Sequence, residues 1–186
     1  DIYPVGDHQT IDFDPGPAAE TMEGKFRPGH FIGMSEVVYR LLRITSPDSL
    51  FMGQKDFQRF SIIRKLITDF QMPIQLVMCP TVREANGLAM SSRNVRLSPE
   101  ARDKAGVIFN ILTSGKMLFE QKTPAKYVQD IALDALRKVN FDPEYFEVVN
   151  GYTLEPVQHM EDAEQIVACC AVKVEGVRLI DNMIWK

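Results

Sequence analysis

From Ser35 onward, Val37, Val38, Leu41, Leu42 and Ile44 fall on one stripe at helical spacing, and Pro47 stops the run. That pattern predicts an amphipathic helix. Ser49-Leu50-Phe51-Met52 is then a short apolar segment closed by Gly53, the mark of a buried parallel strand. Phe57, Phe60, Ile63, Leu66, Ile67 and Phe70 recur at spacings of three and four, so a second helix is expected. Asp56 stands where its N-cap would be, and Pro73 ends it. Ile74 to Cys79 reads as another buried strand. Helix, strand, helix, strand is the grammar of a parallel α/β sheet, here half of a doubly wound domain. Upstream, residues 1–31 are rich in Gly, Pro and Asp without a period, which predicts loop with short strands.

Past Pro80 the texture changes. Residues 81–97 are a polar loop containing Gly87. Ser98-Pro99-Glu100 is a helix start, with a capping hydroxyl, Pro at the first position and an acid in the first turn. Thr123-Pro124 repeats the device before Ala125, Val128, Ile131, Ala132, Ala135, Leu136 and Val139. Tyr145 to Val149 reads as a strand leading into the Asn150-Gly151 turn signal. Ile166 to Val174 and Val177 to Ile184 flank Glu175-Gly176, suited to a tight hairpin. This second part reads as α+β with a small antiparallel sheet. The expected division is 1–80 for an α/β unit and 81–186 for an α+β lid domain.

Composition adds limits. Of 186 residues, 45% are apolar and 25% charged, ordinary for a globular protein. A net charge of −4 argues against a nucleic-acid partner, which favours a basic face. No window approaches the ~20 apolar residues of a membrane span. The chain opens on Asp1-Ile2-Tyr3-Pro4, with no Met, no basic start and no apolar run. A truncated N-terminus without a signal peptide is therefore expected. Cys79, Cys169 and Cys170 show no zinc or disulfide spacing; reduced thiols in a cytoplasmic protein are expected, the last two on opposite strand faces.

Candidate chemistry lies in loops. Gly53-Gln54-Lys55-Asp56 sits between a strand and a helix, where open α/β sheets bind ligands. Gly53 permits close backbone approach, and Lys55 offers a point charge for phosphate. Asp56 is open to three readings: a helix cap, a Mg2+ ligand or an acceptor for a ribose hydroxyl. The plainer alternative is a strand-to-helix turn with an exposed lysine. Met90-Ser91-Ser92-Arg93 places two hydroxyls and a guanidinium together, able to hold phosphate oxygens or to be a solvated loop. Arg83 and Glu84 belong to that loop or are surface charge. Arg27-Pro28-Gly29-His30-Phe31 is a basic turn, in which His30 either touches substrate or holds the turn. His8 and His159 read as surface residues. No Gly-x-x-x-x-Gly-Lys-Ser/Thr, Gly-x-Gly-x-x-Gly or Gly-x-Ser-x-Gly motif occurs.

Taken in order, these segments resemble pantothenate synthetase, the pantoate–β-alanine ligase of the class I nucleotidyltransferase group. The resemblance rests on Glu23-Gly24-Lys25-Phe26-Arg27-Pro28-Gly29-His30-Phe31, on Gly53-Gln54-Lys55-Asp56-Phe57-Gln58, on the run from Pro80 to Asn94, and on Arg178-Leu179-Ile180-Asp181-Asn182. It implies the C-terminal two-thirds of that enzyme: part of a Rossmann-like parallel sheet, then the α+β domain. It also implies an ATP-dependent ligase, assisted by Mg2+, that forms pantoyl adenylate and pyrophosphate before β-alanine attacks to give pantothenate and AMP. On this sequence Gly53, Gln54, Lys55, Asp56, Val82, Met90, Ser91, Ser92 and Arg93 would contact ATP, with Val82 at the adenine. Lys55, Ser91, Ser92 and Arg93 would be the catalytic, phosphate-side groups. Gln58 would bind pantoate, no residue would serve as a dedicated metal ligand, and the enzyme would be a homodimer.

Two departures stand out. The family's Met-Gly-x-Leu-His-x-Gly-His motif is nowhere in the chain, so residues 1–186 are expected to be inactive alone. Arg59 replaces the family's usual second Gln, and Gln54 its usual Glu. The alternatives are an adenylate-former that takes another carboxylic acid, or a non-catalytic fragment keeping a fold and a dimer surface.

Overall fold

A computed structural model of the chain describes residues 2, 3 and 10–186; His8 lies outside them. The chain divides into two compact units, one formed by 1–53 with 58–79, the other by 54–57 with 80–186.

In the first unit, β1 (Ser49–Gly53) and β2 (Gln75–Cys79) pair in parallel, from Ser49 opposite Gln75 to Gly53 opposite Cys79. They are joined through α3 (Phe57–Asp69), as the periodicity predicts. Leu42, Ile63, Leu66 and Ile67 form the core, with Val38, Leu50, Met52 and Leu76 packed against it. Both strands differ from expectation in burial. Neither contains a fully buried residue, and Phe51 is 66% exposed, because the helices cover one face of the pair and the alternating side chains of the other point away. The region before them is also more ordered than a loop. A short helix, α1 (Glu23–Phe26), precedes α2 (His30–Thr45). Gly29, at φ 74°, turns the chain into α2, so His30 and Phe31 belong to a helix rather than a turn.

In the second unit, β3 (Asp142–Asn150), β4 (Ile166–Val174) and β5 (Val177–Ile184) form an antiparallel sheet in that order. Val174 faces Val177 across the Glu175-Gly176 turn, whose residues adopt φ of 49° and 75°, the pair of left-handed conformations a tight hairpin requires. Helices α4 (Pro99–Lys104), α5 (Val107–Glu120) and α6 (Ala125–Lys138) supply Ala101, Leu112, Phe119, Val128 and Leu136 to a core shared with Val148, Ile166, Ala168 and Trp185. Ser98 caps α4 as expected, its Oγ accepting from Ala101 N at 3.1 Å. The second start is built differently. Pro124, not Thr123, holds the cap position of α6, and no side chain caps it; Ala125 N–H donates instead to Gln158 O at 2.9 Å. All three cysteines are free thiols. Cys169 and Cys170 are both buried, and burial pushes the Cys170 thiol well up from its ordinary value. Among the described residues, no helix is long and apolar enough to cross a membrane.

Candidate functional site

Gln54, Lys55 and Asp56 form one 3-10 turn that runs directly into α3. The backbone of this turn is held from β5. Asn182 donates through its carboxamide to Gln54 O at 2.9 Å and to Lys55 O at 2.8 Å. Gln54 Nε2 donates in return to Asn182 Oδ1 at 3.2 Å. Asn182 is 2% exposed, so these bonds satisfy an amide whose burial would otherwise be costly. The Lys55 ammonium donates to Met90 O at 3.2 Å, which ties the turn to the polar loop after Pro80.

That loop begins as a small hairpin. Met90 N–H donates to Val82 O at 2.9 Å, and Glu84 N–H to Leu88 O at 2.8 Å. Leu88 and Ala89 point into the core, while Val82 and Met90 are 67% and 52% exposed. At the bend Gly87 has φ 93°, and the Phe109 ring lies 2.9 Å from where a Cβ would stand.

Arg83 anchors the hairpin. Its Nη1 donates to Asp181 Oδ2 at 2.6 Å and to Gly87 O at 3.0 Å, and its Nη2 to Asp181 Oδ1 at 3.0 Å. The guanidinium stacks 4.0 Å from the Phe109 ring centre. Burial pushes the Asp181 carboxyl above its ordinary value, against the downward pull of Arg83.

Ser91 Oγ accepts from Arg93 N–H at 3.2 Å and so caps the 3-10 turn Ser92–Arg96. Buried Asn94 fixes that turn from below, donating to Glu84 Oε1 at 2.7 Å and Ala89 O at 3.2 Å. Glu84 also accepts from Arg102 Nε at 2.8 Å. The bonds from Arg102 and Asn94 hold the Glu84 carboxyl below its ordinary value. Arg93 Nη1 donates to Arg178 O at 3.2 Å, and Ser92 and Arg93 remain exposed.

The second unit thus carries Gln54, Lys55, Asp56, Val82, Met90, Ser91, Ser92 and Arg93 on one framework. Hydroxyls and two cations near exposed apolar side chains can hold a polyanion attached to a flat ring. Among the described residues no group of three His, Cys, Asp or Glu side chains suits a metal ion.

The remaining predicted positions belong to the first unit. Gly53 closes β1, and a Cβ there would meet no described atom within 4 Å; the backbone is open to approach. Gln58 is buried. Its Nε2 donates to Ala18 O at 2.6 Å and Thr21 O at 2.9 Å, and its Oε1 accepts from Glu23 N–H at 3.0 Å. The His30 ring packs 5.2 Å from that of Phe31, and burial, with Arg27 and Arg59 nearby, lowers its pKa below the ordinary value. His159 is exposed, as expected.

The roles of Arg83, Asp181 and Asn182 are not read from the sequence. One local signal was available: Asp181-Asn182 is a polar doublet between the apolar pairs Leu179-Ile180 and Met183-Ile184, and buried polar groups are the informative exception.

The model of the pantoate–β-alanine ligase family matches residues 1–184. The chain belongs to this family. Pantothenate synthetase of Porphyromonas gingivalis strain W83 is 39% identical over 186 residues, an overlap that takes in all of this chain and 66% of that protein. The Bacteroides fragilis YCH46 protein of the same name is 39% identical over 189 residues, 65% of its length. Pantothenate synthetase from Thermus thermophilus superposes with a TM-score of 0.89 at 35% identity, over 99% of this chain and 66% of that one. A pantoate–β-alanine ligase from Francisella tularensis, complexed with β-γ ATP and β-alanine, gives 0.74 at 31% identity, over 100% and 61%. This family member therefore spans just under two thirds of the length of the curated relatives it matches.

Proposed function

We propose that this chain forms part of an ATP-dependent ligase that condenses pantoate with β-alanine through pantoyl adenylate. Family membership supports the reaction class. The observation that carries the nucleotide role is the bond from the Lys55 ammonium to Met90 O, since it joins the two segments expected at the phosphates.

The pantoate carboxylate attacks the α-phosphorus of ATP, a P–O bond forms, and pyrophosphate leaves. The β-alanine amine then attacks the acyl carbon, forming the amide; AMP departs and the amine gives up its proton. Two anions must meet in the first step, so placed positive charge is the main requirement. Lys55 and Arg93 supply it, with Ser91 and Ser92 as donors to the leaving pyrophosphate. Gly53 leaves room for the nucleotide, Gln54 and Asp56 flank it, and exposed Val82 and Met90 offer apolar surface to the adenine. Mg2+ bound together with the nucleotide would supply further positive charge at the phosphates. Gln58 already commits both amide protons to Ala18 and Thr21 and one lone pair of Oε1 to Glu23 N–H; toward pantoate the second lone pair of Oε1 serves, accepting from a substrate hydroxyl.

The test is pantoate-dependent ATP–pyrophosphate exchange by the full-length protein, with product analysis. AMP and pyrophosphate are expected; ADP and phosphate would exclude the adenylate. Arg59, in place of glutamine, favours a second reading in which another small hydroxy acid is the substrate, and the same exchange run with a panel of such acids decides it. We further infer a cytoplasmic homodimer, checked by sedimentation of the full-length protein. Residues 1–186 alone are not expected to ligate, because about a third of the relatives' length lies outside the stretch they match. Pantothenate made by this segment alone would refute that.

A further inference from the structure

We propose that Asn182 is a positioning residue for the adenylation step, acting through the carbonyls of Gln54 and Lys55. This rests on the reading of Lys55 as a phosphate-side group.

Lys55 is held at two points. Met90 O receives its ammonium at 3.2 Å, and Asn182 Nδ2 donates to its carbonyl at 2.8 Å. The first contact is to a neutral acceptor that an anionic phosphate oxygen outcompetes, since the phosphate adds a full Coulomb attraction to the ammonium that a carbonyl lacks. Once the ammonium turns to the nucleotide, the Asn182 bond is what keeps the base of that side chain in place.

Asn182 is itself aligned. Its backbone N–H donates to Asp181 Oδ1 at 2.8 Å, and Asp181 is gripped by Arg83. Arg83 follows Val82, whose carbonyl accepts from Met90 N–H. The contacts close a ring through Lys55, Met90, Val82, Arg83, Asp181 and Asn182, so the adenine side and the phosphate side are set by one network. An apolar residue at 182 would suit a buried strand position, but it would leave the turn's two carbonyls without these donors. A group that orients a reacting side chain from behind commonly affects rate by 10–100-fold when removed.

Asn182→Asp keeps the shape and replaces the donor with an acceptor facing two carbonyls. In the full-length protein the expected result is a ~10–100-fold lower maximal rate of pantoate-dependent ATP–pyrophosphate exchange, with KM for pantoate within about twofold of wild type. The deciding measurement is the cycle with Lys55→Ala. If Asn182 acts through Lys55, the double variant is no slower than Lys55→Ala alone. Multiplying losses, or a wild-type rate in Asn182→Asp, overturn the proposal. Should Asn182→Asp fail to fold, Asn182→Ala, uncharged and without a donor, takes its place in the same cycle, and the same two results support or overturn the role. No pantoate-dependent exchange by the wild-type protein would be a different failure, removing the ligase reading and this role together.

Discussion

Arg83 meets Asp181 as a fork on a fork, its two Nη atoms on the two carboxylate oxygens at 2.6 and 3.0 Å. Asp181 is 4% exposed. Removing one partner from such a pair strands the other, whereas replacing both is often near neutral. Asp181→Asn should therefore lower unfolding free energy by about 3 kcal/mol. The double change Arg83→Met, Asp181→Leu should lose less than the single one. Urea denaturation measures both, and a double variant weaker than Asp181→Asn would count against the pairing.

Glu84 links the hairpin to α4 through Arg102 and to the 92–96 turn through Asn94. These bonds depress its folded pKa below the ordinary 4.5. The stability they contribute is complete above that value and is lost as pH falls through the folded pKa, because protonation then occurs more readily in the unfolded chain. Unfolding free energy measured from pH 6 to pH 3 should fall, and less steeply in Glu84→Gln. An identical slope in the two proteins would contradict the assignment.

Much of the fold was legible and much of the site was not, for one physical reason. The stripes of α2, α3 and α6 and the Glu175-Gly176 hairpin are local, so spacing alone reveals them. The single start at Ser98 leads instead to two helices, because at Gly106 the chain passes close to Asn86 O, a contact that the spacing of residues 98–123 does not show. The apolar runs of β1 and β2 overstate their burial, since such a run does not say how many faces are covered. Lys55 and Met90–Arg93 could be proposed from their residue types. Asn182 could not, because its partners lie 127 and 128 positions earlier, beyond the reach of any sequence window.

Gly106 supplies a further test of the loop's footing. A Cβ at that position would lie 2.3 Å from Asn86 O, so the backbone at 86 must move. Gly106→Ala should cost about 1–3 kcal/mol, as overpacking does. Because Asn86 lies in the 82–90 hairpin, the same variant should weaken ATP binding, which calorimetric titration of the full-length protein will detect. Wild-type stability and affinity together would refute it.

Lys55→Ala and Arg93→Ala separate charge from structure. Each should lower pantoate-dependent exchange by ~10²–10³-fold, the usual effect of removing one group that stabilises developing charge. Arg93 is exposed, so the unfolding free energy of Arg93→Ala should stay within about 0.5 kcal/mol of wild type. A large stability change there would assign it to the fold instead.

The hold of Asn182 on the 54–55 turn also sets an order in time. The turn leaves the ribosome 127 residues before the side chain that steadies it; at typical synthesis rates of ~5–20 residues per second that is an interval of roughly 6–25 seconds. During that interval the nascent chain carries the lysine but not its anchor. A chain released between positions 93 and 182 would keep the residues of the first unit and of the 82–93 loop and still present Lys55 on an unbraced turn. Competence for chemistry would therefore arrive only once position 182 has been made and folded back onto the turn.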